Sequence, residues 1–540
     1  MKSLAVKKLY KVHSWVGLIT GILLFVIAFT GALSVFGRPE IKIWANPDIR
    51  HGIEMDAAQI EAVVREQAAA LPEAYHQEIL IFLPGTRTYP HLTIVFEDHE
   101  NQHAVLLTVD NETMSVINQR EGTPREVFAA RQVDIADFIV DFHADLHLGR
   151  PVGLLLTGLL GLTLMASIVT GFIIHRQKLR QLFTFRWKKS TDITLADSHR
   201  LFGVWGLLFN GVIAFTGAFL GLATVLLIPA AAFVSFSGDQ EKLIDTFNTT
   251  PQPVLAQVHQ PTQIAPVLTH ATTFDEDMRV EVVTIYGFDD QNAKVYASGV
   301  GSEAVARQLL SYQGATGDFI EAFGQFGKVG GISAQILDLM FPLHFGNFGG
   351  IFVKLLWTLL GVSTALLPLS GMMMWIERGQ RSANPQYSHS TYQRFNRLVI
   401  GLCGGLVLAC AALFPAQLIL HELPAISSNS FFIGSVFFGV WLLSSLFMFV
   451  IRDVKAAASV LGYITGGLLV LTVPLNIWLT GDNPVSLMLN QQWVSATIDI
   501  CLLILGTLTL RLIYQLSKSK QRSKHNEASL NIQTNQQEAQ

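Results

Sequence analysis

Seven residues, Val26-Ile-Ala-Phe-Thr-Gly-Ala32, occur again as Val212-Ile-Ala-Phe-Thr-Gly-Ala218. Both copies lie in apolar segments that begin with a histidine, His13 in one and His199 in the other. Every matched position is offset by 186 residues, Gly17 with Gly203 and Gly31 with Gly217 among them. An identical heptapeptide in register with a flanking glycine and histidine marks an internal duplication, which obliges the fold to accept one unit twice. A second match, at an offset of 200, aligns Leu159-Leu-Gly161 with Leu359-Leu-Gly361 and Val169-Thr-Gly171 with Leu369-Ser-Gly371.

The duplicated unit is built for a bilayer. Half of the 540 residues are hydrophobic and 14% are charged, and the mean hydropathy is +0.40. Apolar runs at 12–37, 150–175, 198–232, 350–376, 395–415, 430–451, 456–479 and 493–515 are long enough to cross a hydrocarbon core of about 30 Å. The chain reads as a polytopic α-helical membrane protein with eight transmembrane helices, the second extended upstream by the Asp134–Leu148 stretch. Lys2, Lys7, Lys8 and Lys11 precede the first run as in a signal peptide. That run, Val12 to Phe36, exceeds an h-region and has a counterpart in mid-chain, so it reads as a retained helix. Cys403, Cys410 and Cys501 lie in apolar runs without metal-ligand spacing.

Lys and Arg cluster at the N-terminus, at 176–189, at 378–397, at Arg452 and Lys455, and at 518–524, which are alternate loops. The positive-inside rule makes that side, with both termini, cytoplasmic. The expected organisation is transmembrane helix 1 (1–37), an outer module (38–140), helices 2 and 3 (141–236), a second outer module (237–335), helix 4 (336–380), helices 5 to 8 (381–516) and a disordered cytoplasmic tail (517–540). Each outer module reads as a small α+β unit. The first has a helix capped by Asp56 and strand-like runs Glu78–Leu83, His91–Phe96, Ala104–Val109 and Met114–Ile117. The second has a helix over Pro261–Thr273 and strands Val280–Tyr286 and Ala293–Ala297.

Two units of the same orientation are related by an axis near the membrane normal. Such an axis brings His13 close to His199 on the inner side. On the outer side it brings His344 close to His143 or His147. The offset of 200 sets His344 one residue from His143, while the wording Leu-His-x-Gly pairs it with His147. Two facing imidazoles inside a helix bundle are what six-coordinate haem iron needs. Gly17, Gly203, Gly149 and Gly346 beside the histidines would admit a flat macrocycle, and Lys11, Arg176, Arg200 and Arg150 would face its propionates. His175, whose repeat partner is Trp375, either replaces His13 or His199 as an inner ligand or is an interfacial side chain. The Thr-Gly pairs read as helix-packing sites. Asp499 in helix 8 is an ionisable group that should face a cavity or a partner.

His13-x3-Gly17 with Phe29-Thr-Gly31, its copy His199-x3-Gly203 with Phe215-Thr-Gly217, and Leu343-His-Phe-Gly346 with Ser370-Gly-x3-Trp375 resemble the PepSY-associated transmembrane-helix family, including inner-membrane ferric-siderophore reductases of the FoxB type. The resemblance covers roughly residues 5–380. It implies PepSY-like periplasmic modules, two haems b, the inner membrane of a Gram-negative bacterium, iron-repressed expression, and reduction of ferric siderophores in the periplasm by electrons from a cytoplasmic or quinol donor. The implied haem ligands are His13, His199, His143 and His344. Rival readings are a haem-free PepSY regulatory or binding protein and a siderophore transporter. No nucleotide-binding GxGxxG or P-loop is present, and no nucleic-acid partner is expected.

Overall fold

A computed structural model describes the chain except residues 1–2, 47–55, 85–88, 90, 130–132, 176–184, 187–189, 241, 244–249, 276–277, 301–306, 325–331, 423–430 and 539–540. Arg176 therefore lies outside the described residues. The chain divides into two compact units, one of residues 1–186 and 197–368, the other of 187–196 and 369–540.

In the first unit, helix α1 (Ser3–Ser34) is followed by α2 (Ala57–Ala70) and strands β1 (Glu78–Phe82), β2 (Leu92–Asp98), β3 (His103–Val109) and β4 (Val116–Gly122). Then come α3 (Ile135–Asp145), α4 (Val152–Ile174), α5 (Thr191–Trp205), α6 (Leu207–Leu222) and α7 (Ile264–Thr273). Strands β5 (Arg279–Tyr286), β6 (Lys294–Val300), β7 (Arg307–Gln313) and β8 (Phe319–Gly324) precede α8 (Ile332–Phe345) and α9 (Gly350–Arg381). Asp56 caps α2 as its sequence predicts, accepting from the Ala58 N–H.

The strands form one eight-stranded antiparallel sheet, β4-β3-β2-β1-β5-β6-β7-β8. Two separate modules were expected; β1 instead pairs with β5, Leu80 opposite Thr284, and fuses them. Alternate residues of both halves, among them Ile79, Ile81, Ile94, Val283, Ile285 and Leu310, join one core under α2 and α7. β7 and β8 have no counterpart in the sequence reading.

Among the described residues, seven helices are long and apolar enough to cross a membrane, and an eighth crossing results if α5 and α6, bent by 69° at Gly206, form one span. α3 is not an extension of α4. Leu146 takes a left-handed conformation (φ 57°) and ends α3, and α4 restarts at Val152. Helices approach through glycine: a Cβ on Gly161 would lie 2.7 Å from the Ala218 nitrogen, and one on Gly361 would lie 3.0 Å from the Ala32 Cβ. Ala32 and Ala218 end the two copies of the heptapeptide.

The second unit holds α10 (His389–Val399), which leads through a π-helical turn into α11 (Gly405–Glu422), then α12 (Phe432–Val450), α13 (Val454–Thr480) and α14 (Trp493–Glu538). α14 continues through residues 517–538, for which composition predicts disorder. Leu408, Met448, Ala457 and Leu461 pack between α11, α12 and α13. Asp499 is fully buried and accepts from Asn476 Nδ2 at 3.0 Å, so its partner is an amide on α13.

Candidate functional site

Near the Gly31 end of α1, α3 carries His143 and α8 carries His344. Their ring centres are 6.0 Å apart, with planes inclined by 27°. His143 Nδ1 donates to the Ile27 carbonyl on α1 at 2.9 Å. His344 Nδ1 donates to Thr216 Oγ1 on α6 at 3.0 Å; that hydroxyl spends its own proton on the Val212 carbonyl at 2.7 Å. Both rings lie on the heptapeptide glycines. A Cβ on Gly31 would stand 2.6 Å from His143 Cε1, and one on Gly217 would stand 3.1 Å from His344 Cε1.

At the other end of α1, His13 and His199 of α5 have ring centres 6.1 Å apart, with planes at 74°. His13 Nδ1 donates to Thr170 Oγ1 at 3.1 Å, and Thr170 donates to the Ala166 carbonyl at 2.7 Å. His199 Nδ1 donates to the Leu367 carbonyl at 3.0 Å. The ring of His13 also lies on a glycine, Gly171, at 3.2 Å from where its Cβ would be.

All four rings thus carry their proton on Nδ1, which makes Nε2 the lone-pair nitrogen of each imidazole. A metal ion bonded to two imidazoles at about 2 Å, with about 1 Å more from nitrogen to ring centre, sets those centres about 6 Å apart. Both pairs have that separation. The donor set fits a metal centre with two axial imidazoles. Eighteen residues of α1 separate His13 from Gly31, which is about 27 Å of helix; the pairs sit at opposite ends of a membrane-length helix.

The remaining candidates fall elsewhere. His147 is exposed. Its ring lies tilted against Phe138 with centres 4.4 Å apart, and its Nε2 donates to the Phe138 carbonyl at 3.1 Å. It folds back on α3, and His143 is the histidine brought to His344. His175 caps the inner end of α4, its N–H donating to the Gly171 carbonyl. Arg200 binds Asp197 at 2.6 Å, and Asp197, fully buried, also holds Arg186. Gly346 serves a turn: its φ is 69° and a Cβ would strike Trp357 at 2.6 Å. Gly17 has open space beside it.

The pairing of His143 with His344 has a sequence signal that the Leu-His-x-Gly wording hides. Asp137 precedes His143 by six residues and Asp338 precedes His344 by six, with Phe138-Ile139 matched by Leu339-Met340. The offset there is 201, one more than in the helices that follow, so a one-residue gap falls in the intervening turn.

A family model described as the PepSY-associated TM region matches residues 10–378. The chain belongs to the PepSY-associated TM family. All four paired histidines lie inside the matched region, and α10 to α14 lie beyond it. An uncharacterized protein of Pseudomonas aeruginosa is 25% identical over 338 residues, covering 57% of this chain and 78% of that protein. As a PepSY-associated TM protein, this chain is a multi-pass membrane protein.

Proposed function

We propose that this protein is a transmembrane electron conduit that holds two haems b and reduces ferric siderophores on the periplasmic side, releasing iron. The observation that carries the reading is the repeated imidazole geometry: two pairs with ring centres 6.1 and 6.0 Å apart, every Nδ1 tied to an oxygen. His13 and His199 would hold the inner haem, His143 and His344 the outer one. Haem supplies one-electron transfer at such a site, with its potential set by the axial ligands and their hydrogen bonds. Ile27, Thr170, Thr216 and Leu367 fix the ring tautomers and raise the basicity of Nε2. A ferric siderophore is the substrate that the family resemblance implies; its oxygens hold Fe(III) far more tightly than Fe(II), so one electron frees the ion.

In this reading the matched segments are a duplicated unit and α5 with α6 make one span, giving eight crossings. The protein lies in the inner membrane with both termini cytoplasmic, and electrons enter from a cytoplasmic or quinol donor.

A reduced-minus-oxidised absorbance spectrum of the purified protein tests this. The expected result is a sharp Soret and α-band at two haems per chain, with one haem lost in His13→Ala and the other in His344→Ala. The α-band of the reduced protein should collapse on mixing with a ferric siderophore. Colourless wild-type protein rejects the conduit in favour of the haem-free binding protein.

A further inference from the structure

Among the described residues, three or more metal-ligating side chains converge at one place, formed by Glu78, Glu97 and His99 on the outer sheet. Glu78 of β1 stands directly opposite Glu97 of β2 in the antiparallel register. Directly opposed residues share a face, and like charges in that position repel. The repulsion is not relieved by water, since only 14% of the Glu78 side chain and 13% of the Glu97 side chain are exposed.

His99 follows β2 and turns back over the pair. Its Nε2 lies 2.8 Å from Glu78 Oε2 and 3.8 Å from Glu97 Oε2, and its N–H is held by Gln77 Oε1 at 3.1 Å. One ligand atom from each of the three lies within 4.8 Å of the others. Protonation of His99 would offset one of the two negative charges; a divalent cation offsets both and uses the imidazole as a third ligand. His99, unlike the two glutamates, also lines a pocket of about 410 Å³ with Asp98, Gln102, Thr123, Pro124 and Arg125, so the imidazole is the member of the cluster reached from solvent.

We propose that Glu78, Glu97 and His99 bind one divalent first-row transition metal ion. Two carboxylates with one imidazole suit Mn(II), Fe(II) or Zn(II), whereas Ca(II) takes six to eight oxygens and Mg(II) keeps most of its waters. Three protein ligands leave positions for water on the pocket side. The site stands on β1, the strand that joins the two halves of the sheet, and owes nothing to the electron-transfer reading.

The test is a Mn(II) titration of the full-length, chelator-treated protein in neutral detergent, read by loss of the free-ion six-line EPR signal. Wild type takes up one Mn(II) per chain, displaced by Zn(II) but not by an equal concentration of Mg(II). Glu97→Gln and His99→Ala each weaken uptake by roughly tenfold or more, and Glu112→Gln, at an exposed turn of the same sheet, leaves it unchanged. Glu97→Gln relieves the charge repulsion, so without metal its melting temperature is no lower than that of wild type; Mn(II) then raises the wild-type value and not the variant's. Wild type that leaves the six-line signal intact, or a folded Glu97→Gln chain that takes up Mn(II) as wild type does, overturns the proposal.

Discussion

Each paired histidine meets the same two kinds of atom, an oxygen at Nδ1 and, in three of the four, a glycine under the ring. The oxygen is replaceable and the glycine is not. Thr216→Val keeps the shape of the site but deletes the acceptor of His344. Loss of such a partner costs about 10–100-fold in metal affinity, so the purified variant should carry close to one haem per chain instead of two, and Thr216→Ser should restore the second. Gly31→Ala puts a methyl 2.6 Å from His143 Cε1, inside any tolerable contact, whereas Gly217→Ala puts one 3.1 Å from His344 Cε1. Haem content should therefore fall further in Gly31→Ala than in Gly217→Ala. His13, His199 and His344 were legible from the repeat, which left His143 and His147 as alternatives for the fourth place. The role of Thr30-Gly31 and Thr216-Gly217 was not, because small residues in membrane helices usually bring backbones together, and nothing local in the sequence says that an imidazole from another helix fills the gap.

α3 is held in place by charge. Asp137, fully buried, binds both Arg38 and Lys42, the latter at 2.8 Å, and Lys42 is itself 2% exposed. Asp134 caps α3 by accepting from the Asp137 N–H, and its other oxygen lies 3.3 Å from Lys42 Nζ and accepts from Asn46 Nδ2 at 3.1 Å. The chain leaving α1 is thereby fastened to the helix that presents His143. Removing one member of a buried pair strands the other charge. Asp137→Ala should cost about 3 kcal/mol, the low end of the range because Asp134 stays near Lys42, and Asp137→Asn should cost less. A thermal melt followed by circular dichroism checks the cost. If the paired histidines hold haems as proposed, absorbance checks the consequence, loss of the haem at His143 and His344 ahead of the one at His13 and His199. At this scale the sequence was informative about elements and poor about their ends. Alternation located β1, β2 and β3 to within about two residues, but the break between α3 and α4 depends on a left-handed Leu146, a residue type that carries no turn signal. β7 escaped because its residues are largely polar, and β8, though mostly apolar, is short and largely exposed.

Across the first unit, contacts join positions that the repeat makes equivalent: His13 with His199, His143 with His344, β1 with β5. The last of these has no local signature. β1 and β5 are about 200 residues apart, each could end its own sheet, and the pairing is decided by burial of a shared apolar face. Fusion has a consequence that two independent modules would not show. Ile79, Ile81 and Ile94 from the first half and Val283, Ile285 and Leu310 from the second are all buried in one core, so a lesion in either half should loosen both. Leu310→Ala removes a fully buried side chain of β7 at a cost of about 2–5 kcal/mol. Hydrogen exchange should then quicken not only in β6 and β7 but also at the amides of β1 and β2, since cooperative units lose protection together. If protection is lost in β6 to β8 alone, the halves unfold separately, and the pairing of β1 with β5 is too weak to make the outer sheet one body. That outcome would also remove the reason to expect the Glu78–Glu97 pair, whose Glu78 lies on the junction strand β1, to be rigid enough to select a metal by size.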